Sequence, residues 1–343
     1  MRCRPVNRAL LYAAVPVTAV DLFAGAGGWD IAQPNINPLG IEIDEWACKT
    51  RDAAGLATFR GDVTRIDPIP CDLLIASPPC QGFSMAGKRD PNDPRNALVW
   101  EPLAWAQIVQ PTYIALEQVP PVLPIWEQYA ARLRELGYEV WTGLLHAEQF
   151  GVPQTRKRAI LMARRDGKPC LPPQPTHSRY YARDPARLDD GVLPWGSMAE
   201  ALGWSGADAP APTLALSGST NPIGGSGSRA AWAVRTRGDR KTSGGNLFDA
   251  STPARALTEK ARSWTRERPA TTVAGEPRLG GVGDYRERHR QDGGVRITLA
   301  EAAILQSFPP DYPFQGVKSR QFLQVGNAVP PRLARAILGA LVA

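Results

Sequence analysis

The first 165 residues alternate short apolar runs with helical patterns, and this alternation constrains the fold more than any other feature. Val17–Phe23, Leu39–Asp44, Cys71–Ala76, Tyr113–Val119 and Val140–Leu145 read as buried strands. Glu45–Ala54 and residues 96–110 and 122–137 read as helices, the last ended by Gly137. Such alternation predicts an α/β domain on a parallel sheet with helices on both faces.

Near residue 166 the pattern stops. A Pro-Cys-Leu-Pro-Pro-Gln-Pro breaker spans 169–175, and from there to about 295 the chain is rich in Gly, Pro, Ser, Thr and Arg. Three similar stretches (Pro210–Leu214, Pro253–Leu257 and Pro269–Val273) read as turn-then-strand units. Helical patterning returns in Leu299–Phe308 and Pro331–Leu341. A chain of 343 residues suits about two domains. We expect a first part over 1–168, a smaller irregular, strand-rich domain over 169–295, and a segment over 296–343 that returns to the first.

The net charge of +7 sits in one place. Residues 229–290 hold 14 Lys/Arg against 7 Asp/Glu, and the rest of the chain holds 26 of each. This segment reads either as a surface for a polyanion, most simply nucleic acid, or as a solvated basic loop region. The cysteines (Cys3, Cys48, Cys71, Cys80 and Cys170) are five, widely spaced and without a C-x-x-C pair, so neither a disulfide framework nor a zinc site is indicated. No metal is expected. No run approaches the ~18 apolar residues of a membrane span. The N-terminus resembles a signal peptide faintly, with Arg2, Arg4 and Arg8 before an apolar run, but Pro16 cuts that run. Free thiols suit a reducing cytoplasm.

Four motifs carry chemistry. Asp21–Gly28 (DLFAGAGG) follows a strand and precedes an expected helix. Its glycines allow close backbone approach to a ligand, but Asp30 stands where a dinucleotide fingerprint needs its third glycine. Glu42, Asp44 and Asp62 follow at later strand ends. Together they suit an adenosine-bearing cofactor without pyrophosphate, with S-adenosylmethionine the obvious candidate; an ordinary tight turn is the alternative. Ser77–Ser84 (SPPCQGFS) delivers Cys80 to the carboxyl edge of the sheet on a stiff Pro-Pro backbone, a setting for a thiolate nucleophile. Glu117, in ALEQVP, ends another strand at the same edge; a carboxyl in a partly desolvated site suits a nucleobase edge. In Gln154-Thr-Arg-Lys-Arg158, alternation puts Gln154, Arg156 and Arg158 on one face. Alone, that motif reads equally well as a charged strand entrance.

Taken in order, DLFAGAGG, the acidic 41–47 segment, GDV, PPCQGFS, the glutamate motif, QTRKR and QVGNAVPP resemble the DNA (cytosine-5) methyltransferases of bacterial or phage type. The likeness covers about Val17–Arg165 and Arg296–Ala334, and the basic insert falls where that family keeps its target-recognition domain. The resemblance implies a Rossmann-like S-adenosylmethionine methyltransferase sheet and a flipped-out cytosine in double-stranded DNA. It implies Cys80 as the nucleophile on C6, and Glu117 as the group that hydrogen-bonds or protonates N3. Arg158 would hold the base oxygen, with Arg156 steadying the catalytic loop or a phosphate. Phe23, Ala24, Gly25, Gly27, Gly28, Glu42, Ile43, Asp62, Val63, Pro79, Leu98 and Asn327 match cofactor-contact positions. A loop of about 81–97 would close over the DNA.

One departure stands out. The family has Glu-Asn-Val where this chain has Glu117-Gln118-Val119. The family's asparagine fixes the cysteine loop, and Gln118 carries the same amide on a longer stem. The expected protein is a monomeric cytoplasmic enzyme associated with the nucleoid through DNA. The alternatives are a cytosine-5 methyltransferase acting on RNA and a DNA-binding relative that has lost catalysis.

Overall fold

The computed structural model describes residues 17–79, 94–203 and 298–343, together with the short strands Ala211–Pro212, Ala233–Val234 and Val295–Arg296. The N-terminal signal-like run, Cys80 with residues 81–93, the basic segment 229–290 apart from Ala233–Val234, and the proline units at 253–257 and 269–273 lie outside the described residues.

The strands are β1 (Ala19–Leu22), β2 (Leu39–Glu42), β3 (Thr58–Arg60), β4 (Leu73–Ala76), β5 (Tyr113–Gln118), β6 (Glu139–His146), β7 (Gln154–Thr155), β8 (Lys157–Arg164), β9 (Ala211–Pro212), β10 (Ala233–Val234) and β11 (Val295–Arg296). The helices are α1 (Glu45–Ala53), α2 (Glu101–Val109), α3 (Leu123–Glu135), α4 (Met198–Leu202), α5 (Leu299–Leu305), α6 (Lys318–Asn327) and α7 (Pro331–Val342). Seven strands form one sheet in the order β3-β2-β1-β4-β5-β8-β6. β1, β4 and Ala159–Ala163 of β8 are buried on both faces, which is why they read as continuous apolar runs.

The sheet is not wholly parallel. β8 runs antiparallel to both of its neighbours, β5 and β6. Only ten residues, 147–156, join β6 to β8, and a parallel pairing needs a crossover of about a dozen or more. A hairpin-like return is the solution that length permits. The glycine turn likewise leads into a single 3-10 turn, Asp30–Ala32, rather than the expected helix. Pro34 and Pro38 bracket the following loop and exclude a longer one.

Two cores sandwich the sheet. On one face Leu22, Leu74, Ile114 and Leu161 meet Trp105 of α2 and Trp126, Tyr129 and Leu133 of α3. On the other, Leu73, Ile75, Ala115, Ile160 and Met162 meet Leu333, Ile337 and Leu341 of α7, so the C-terminal helix covers the sheet. A third cluster joins Ala26 of the glycine turn to α4, α5 and α6. Strand order reverses between β1 and β4, and the crevice at their carboxyl ends is where sheets of this kind place ligands.

Candidate active site

Three strand ends converge on that crevice. β1 runs into the glycine turn, β4 into Ser77-Pro78-Pro79 and thence Cys80, and β5 ends in Glu117-Gln118.

The glycine turn is tightly held. Phe23 adopts φ +58°, a conformation rare for a bulky side chain and retained where surroundings over-determine it. An added Cβ on Gly28 would stand 2.2 Å from the Val329 carbonyl oxygen, so only glycine lets the Gly326–Pro331 segment pack there. The Ala26 carbonyl accepts from the Tyr312 hydroxyl at 2.5 Å. Beneath the turn, Arg51 makes a buried two-pronged pair with Asp30, at 2.9 and 2.6 Å, and also donates to Thr58 Oγ1 and the Ala57 carbonyl. It thereby ties the turn to the β2–β3 edge. Asp21 is wholly buried beside this pair, and among the described residues its oxygens accept no hydrogen bond. Burial first, then the charge of Asp30, holds its carboxyl well above the usual range.

The open side of the turn fits an adenosine group. A Cβ on Gly25 would meet nothing nearer than the Phe23 carbonyl at 4.0 Å. Glu42 closes the far wall. Its Oε2 accepts from Gly25 N at 2.7 Å and its Oε1 from Ile43 N and Asp44 N at 2.8 and 2.7 Å. Two carboxylate oxygens offer about four acceptor positions, so one remains for a ribose hydroxyl. Ile43 is 62% exposed beside it, an apolar surface for a base.

The other positions expected to meet a cofactor divide. Ala24, Gly27 and Val63 are buried, while Pro79 and Leu98 are half-buried near the β4 end and the 3-10 run Pro94–Trp100. Asn327, the last residue of α6, is exposed. Asp62 turns back on its own chain and accepts from Thr64 N and Oγ1, which lowers its pKa. Asp44, a candidate only from its motif, caps α1 through Trp46 N and Ala47 N.

On the β5 and β8 side, Glu117 and Arg158 meet directly, Nε to Oε1 at 2.7 Å. Gln118 is buried, its Nε2 donates to the Pro78 carbonyl, and its Oε1 accepts from Val119 N. The longer amide therefore grips the segment leading to Cys80. Arg156 points elsewhere, donating to the Gly326 carbonyl at 3.0 Å and the Ala328 carbonyl at 3.1 Å. Gln154 and Gln306 continue this web to Leu305 and Ala328. Gln154, Arg156 and Arg158 are buried while Lys157 is exposed, the alternation read from the sequence.

Sequence reasoning missed Trp29, whose Nε1 donates to Ser77 Oγ at 3.0 Å, and the Asp30–Arg51 pair. A charged residue inside the buried face of α1 was the available signal for Arg51.

Sheet order, a cofactor turn at the switch point and polar groups on the adjacent strand ends define a Rossmann-like S-adenosylmethionine methyltransferase. The chain belongs to the C-5 cytosine-specific DNA methylase family, whose profile matches residues 17–343. It is a DNA (cytosine-5) methyltransferase, with S-adenosylmethionine as donor and double-stranded DNA as substrate. Among its relatives, Type II methyltransferase M1.HphI of Haemophilus parahaemolyticus is 30% identical, over 98% of this chain and 89% of its own. Type II methyltransferase M.DdeI of Desulfomicrobium norvegicum is 28% identical, over 93% and 86%. Two solved structures share the fold. A putative DNA modification methyltransferase of an E. coli prophage has TM-score 0.56 and 20% identity, covering 95% of this chain and 98% of that one. The S. pombe Dnmt2 methyltransferase has TM-score 0.57 and 18% identity, covering 95% and 98%. Among the described residues no helix is long and apolar enough to cross a membrane.

Proposed function

We propose that this enzyme methylates a cytosine flipped out of the duplex, by way of a covalent Cys80–C6 adduct. The C5 and C6 atoms of a stacked base are not both reachable, so the base must leave the helix. The Cys80 thiolate adds to C6, forming the S–C6 bond and pushing electron density onto C5. Glu117 hydrogen-bonds or protonates N3 as the adduct forms. S-adenosylmethionine supplies an electrophilic methyl group to C5. Loss of the C5 proton to solvent then restores the 5,6 double bond, expels the thiolate and returns the N3 proton. Arg158 holds the base oxygen, and Arg156 acts at one remove by fixing the Gly326–Ala328 backbone. Phe23, Ala24, Gly25, Gly27, Gly28, Glu42, Ile43, Asp62, Val63, Pro79, Leu98 and Asn327 form the cofactor wall. The carrying observation is the meeting of Glu117 with Arg158 at the strand end beside the one that leads to Cys80.

Residues 169–295 serve as the target-recognition domain between two parts of the catalytic domain. The type II relatives support a role alongside a restriction endonuclease. The test is labelled S-adenosylmethionine with DNA, after bisulfite sequencing of DNA from expressing cells has located the site. Transfer should vanish in Cys80→Ala while DNA binding persists. Transfer surviving in that variant would overturn the covalent reading.

A further inference from the structure

Trp29 stands between the cofactor turn and the strand end that leads to Cys80. It follows Gly28, where the Val329 carbonyl leaves no room for a side chain. Its ring is 2% exposed, in the core cluster with Ile75, Val329 and Leu333. Its one polar atom donates to Ser77 Oγ at 3.0 Å. Ser77 N in turn donates to the Leu22 carbonyl at 3.3 Å, and the next carbonyl, of Pro78, is taken by Gln118. Cys80 follows two residues later. The segment before the thiol is thus held from three sides: β1, the glycine turn and β5. Another large apolar side chain would fill the same core, and only the indole N–H adds the link to Ser77.

We propose that Trp29 is a positioning residue for Cys80, acting through Ser77 Oγ, so that the glycine turn and the Ser77–Pro79 segment that leads to Cys80 are set as one body. The proposal rests on Cys80 being the nucleophile. It accounts for a buried donor directed at Ser77, and it goes beyond the cofactor contacts proposed for the turn.

The test reads thiol attack without the cofactor. In target-site DNA in deuterated water, the thiol adds to C6, C5 takes a deuteron from solvent, and loss of the original C5 hydrogen expels the thiol. Exchange at C5 therefore reports placement of Cys80 directly. Trp29→Phe and Ser77→Ala should each slow exchange by about five- to ten-fold, the kinetic equivalent of one hydrogen bond. Turnover should fall in parallel with little change in the KM for S-adenosylmethionine. Ser77→Thr, which keeps a hydroxyl, should retain most of the rate. The double variant should be no slower than either single one, because both remove the same contact. Ser77→Ala leaves the core untouched and carries the test alone if Trp29→Phe destabilises the fold. Full exchange in Ser77→Ala, multiplying losses in the double variant, or a loss confined to KM would each overturn the proposal. A parallel Cys80→Ala separates the two readings. Exchange surviving there refutes the nucleophile; exchange absent there, with multiplying losses at Trp29 and Ser77, refutes the positioning role alone.

Discussion

Arg158 reaches across from β8 to place Nε 2.7 Å from Glu117 Oε1 on β5, and both side chains are almost wholly buried. The antiparallel register explains the meeting. Glu117 lies opposite Ile160, so Arg158, two residues along, falls diagonally on the same face. Two groups proposed to meet the neighbouring N3 and O2 atoms of one base therefore hold each other's orientation.

Glu117→Gln preserves the shape of this arrangement but removes the transferable proton. Methyl transfer in a single turnover should fall by about 10²-fold or more, the usual weight of a positioned proton donor. Glu117→Leu also strands a buried guanidinium, which should cost on the order of 3 kcal/mol of stability. Rapid-quench assays and urea unfolding of both variants measure the two effects separately. Unchanged transfer in Glu117→Gln would remove Glu117 from the mechanism.

Gln118 is the departure from the family's asparagine, and its amide bonds both Pro78 and Val119. Gln118→Asn should therefore retain activity, within about ten-fold, since one CH2 of slack is absorbed by a contact worth about 1 kcal/mol. Gln118→Leu keeps the volume, loses both contacts, and should fall well below the asparagine variant. Steady-state kinetics decide the ranking. Abolished activity in Gln118→Asn would show that the longer stem is required.

Asp21 makes a pH-dependent prediction. Its folded pKa lies above the unfolded value near 3.8, chiefly through burial and then Asp30. The folded state therefore binds the proton that the unfolded state releases. The stability it contributes is full below the unfolded pKa and is lost as pH rises through the folded one. Asp21→Asn should match the parent below about pH 4 and gain on it at higher pH, by up to about 1.4 kcal/mol per pH unit between the two pKa values. Parallel thermal melts from pH 3.5 to 8 give the difference directly. A gap that stays flat with pH would mean that Asp21 is ionised in the fold.

Much of this site was legible because its motifs are local. A strand, a turn and the next residues place Gly25–Gly28, Ser77–Pro79 and Glu117 at one edge once the sheet is parallel there. The reversal of β8 was hidden because it depends on the length of the 147–156 link, not on the apolar character of Ala159–Ala163. β3 was marked only by Asp62 at its end and given no bounds, because Thr58–Arg60 is three residues long and mostly exposed. The Arg51–Asp30 pair joins residues 21 positions apart, and Trp29 and Ser77 are separated by 48. No local spacing foretells either, because each partner has an ordinary alternative environment until the sheet brings them together.

The basic segment 229–290 carries the last prediction. It accounts for the whole net charge of +7. If five or six of its arginines meet phosphates, log K for DNA should fall against log salt with a slope near −5, at roughly 0.9 counterions per contact. Replacing Arg235, Arg237 or Arg240 by glutamine should weaken binding similarly on all sequences and reduce the slope by about one for each phosphate contact removed. An arginine that reads a base should instead relax the preference at one position and leave the slope nearly intact. Fluorescence anisotropy between 50 and 200 mM salt, on target and unrelated duplexes, separates the two classes residue by residue. A slope near zero for the parent would mean that the excess charge is a solvated surface and that DNA is held elsewhere.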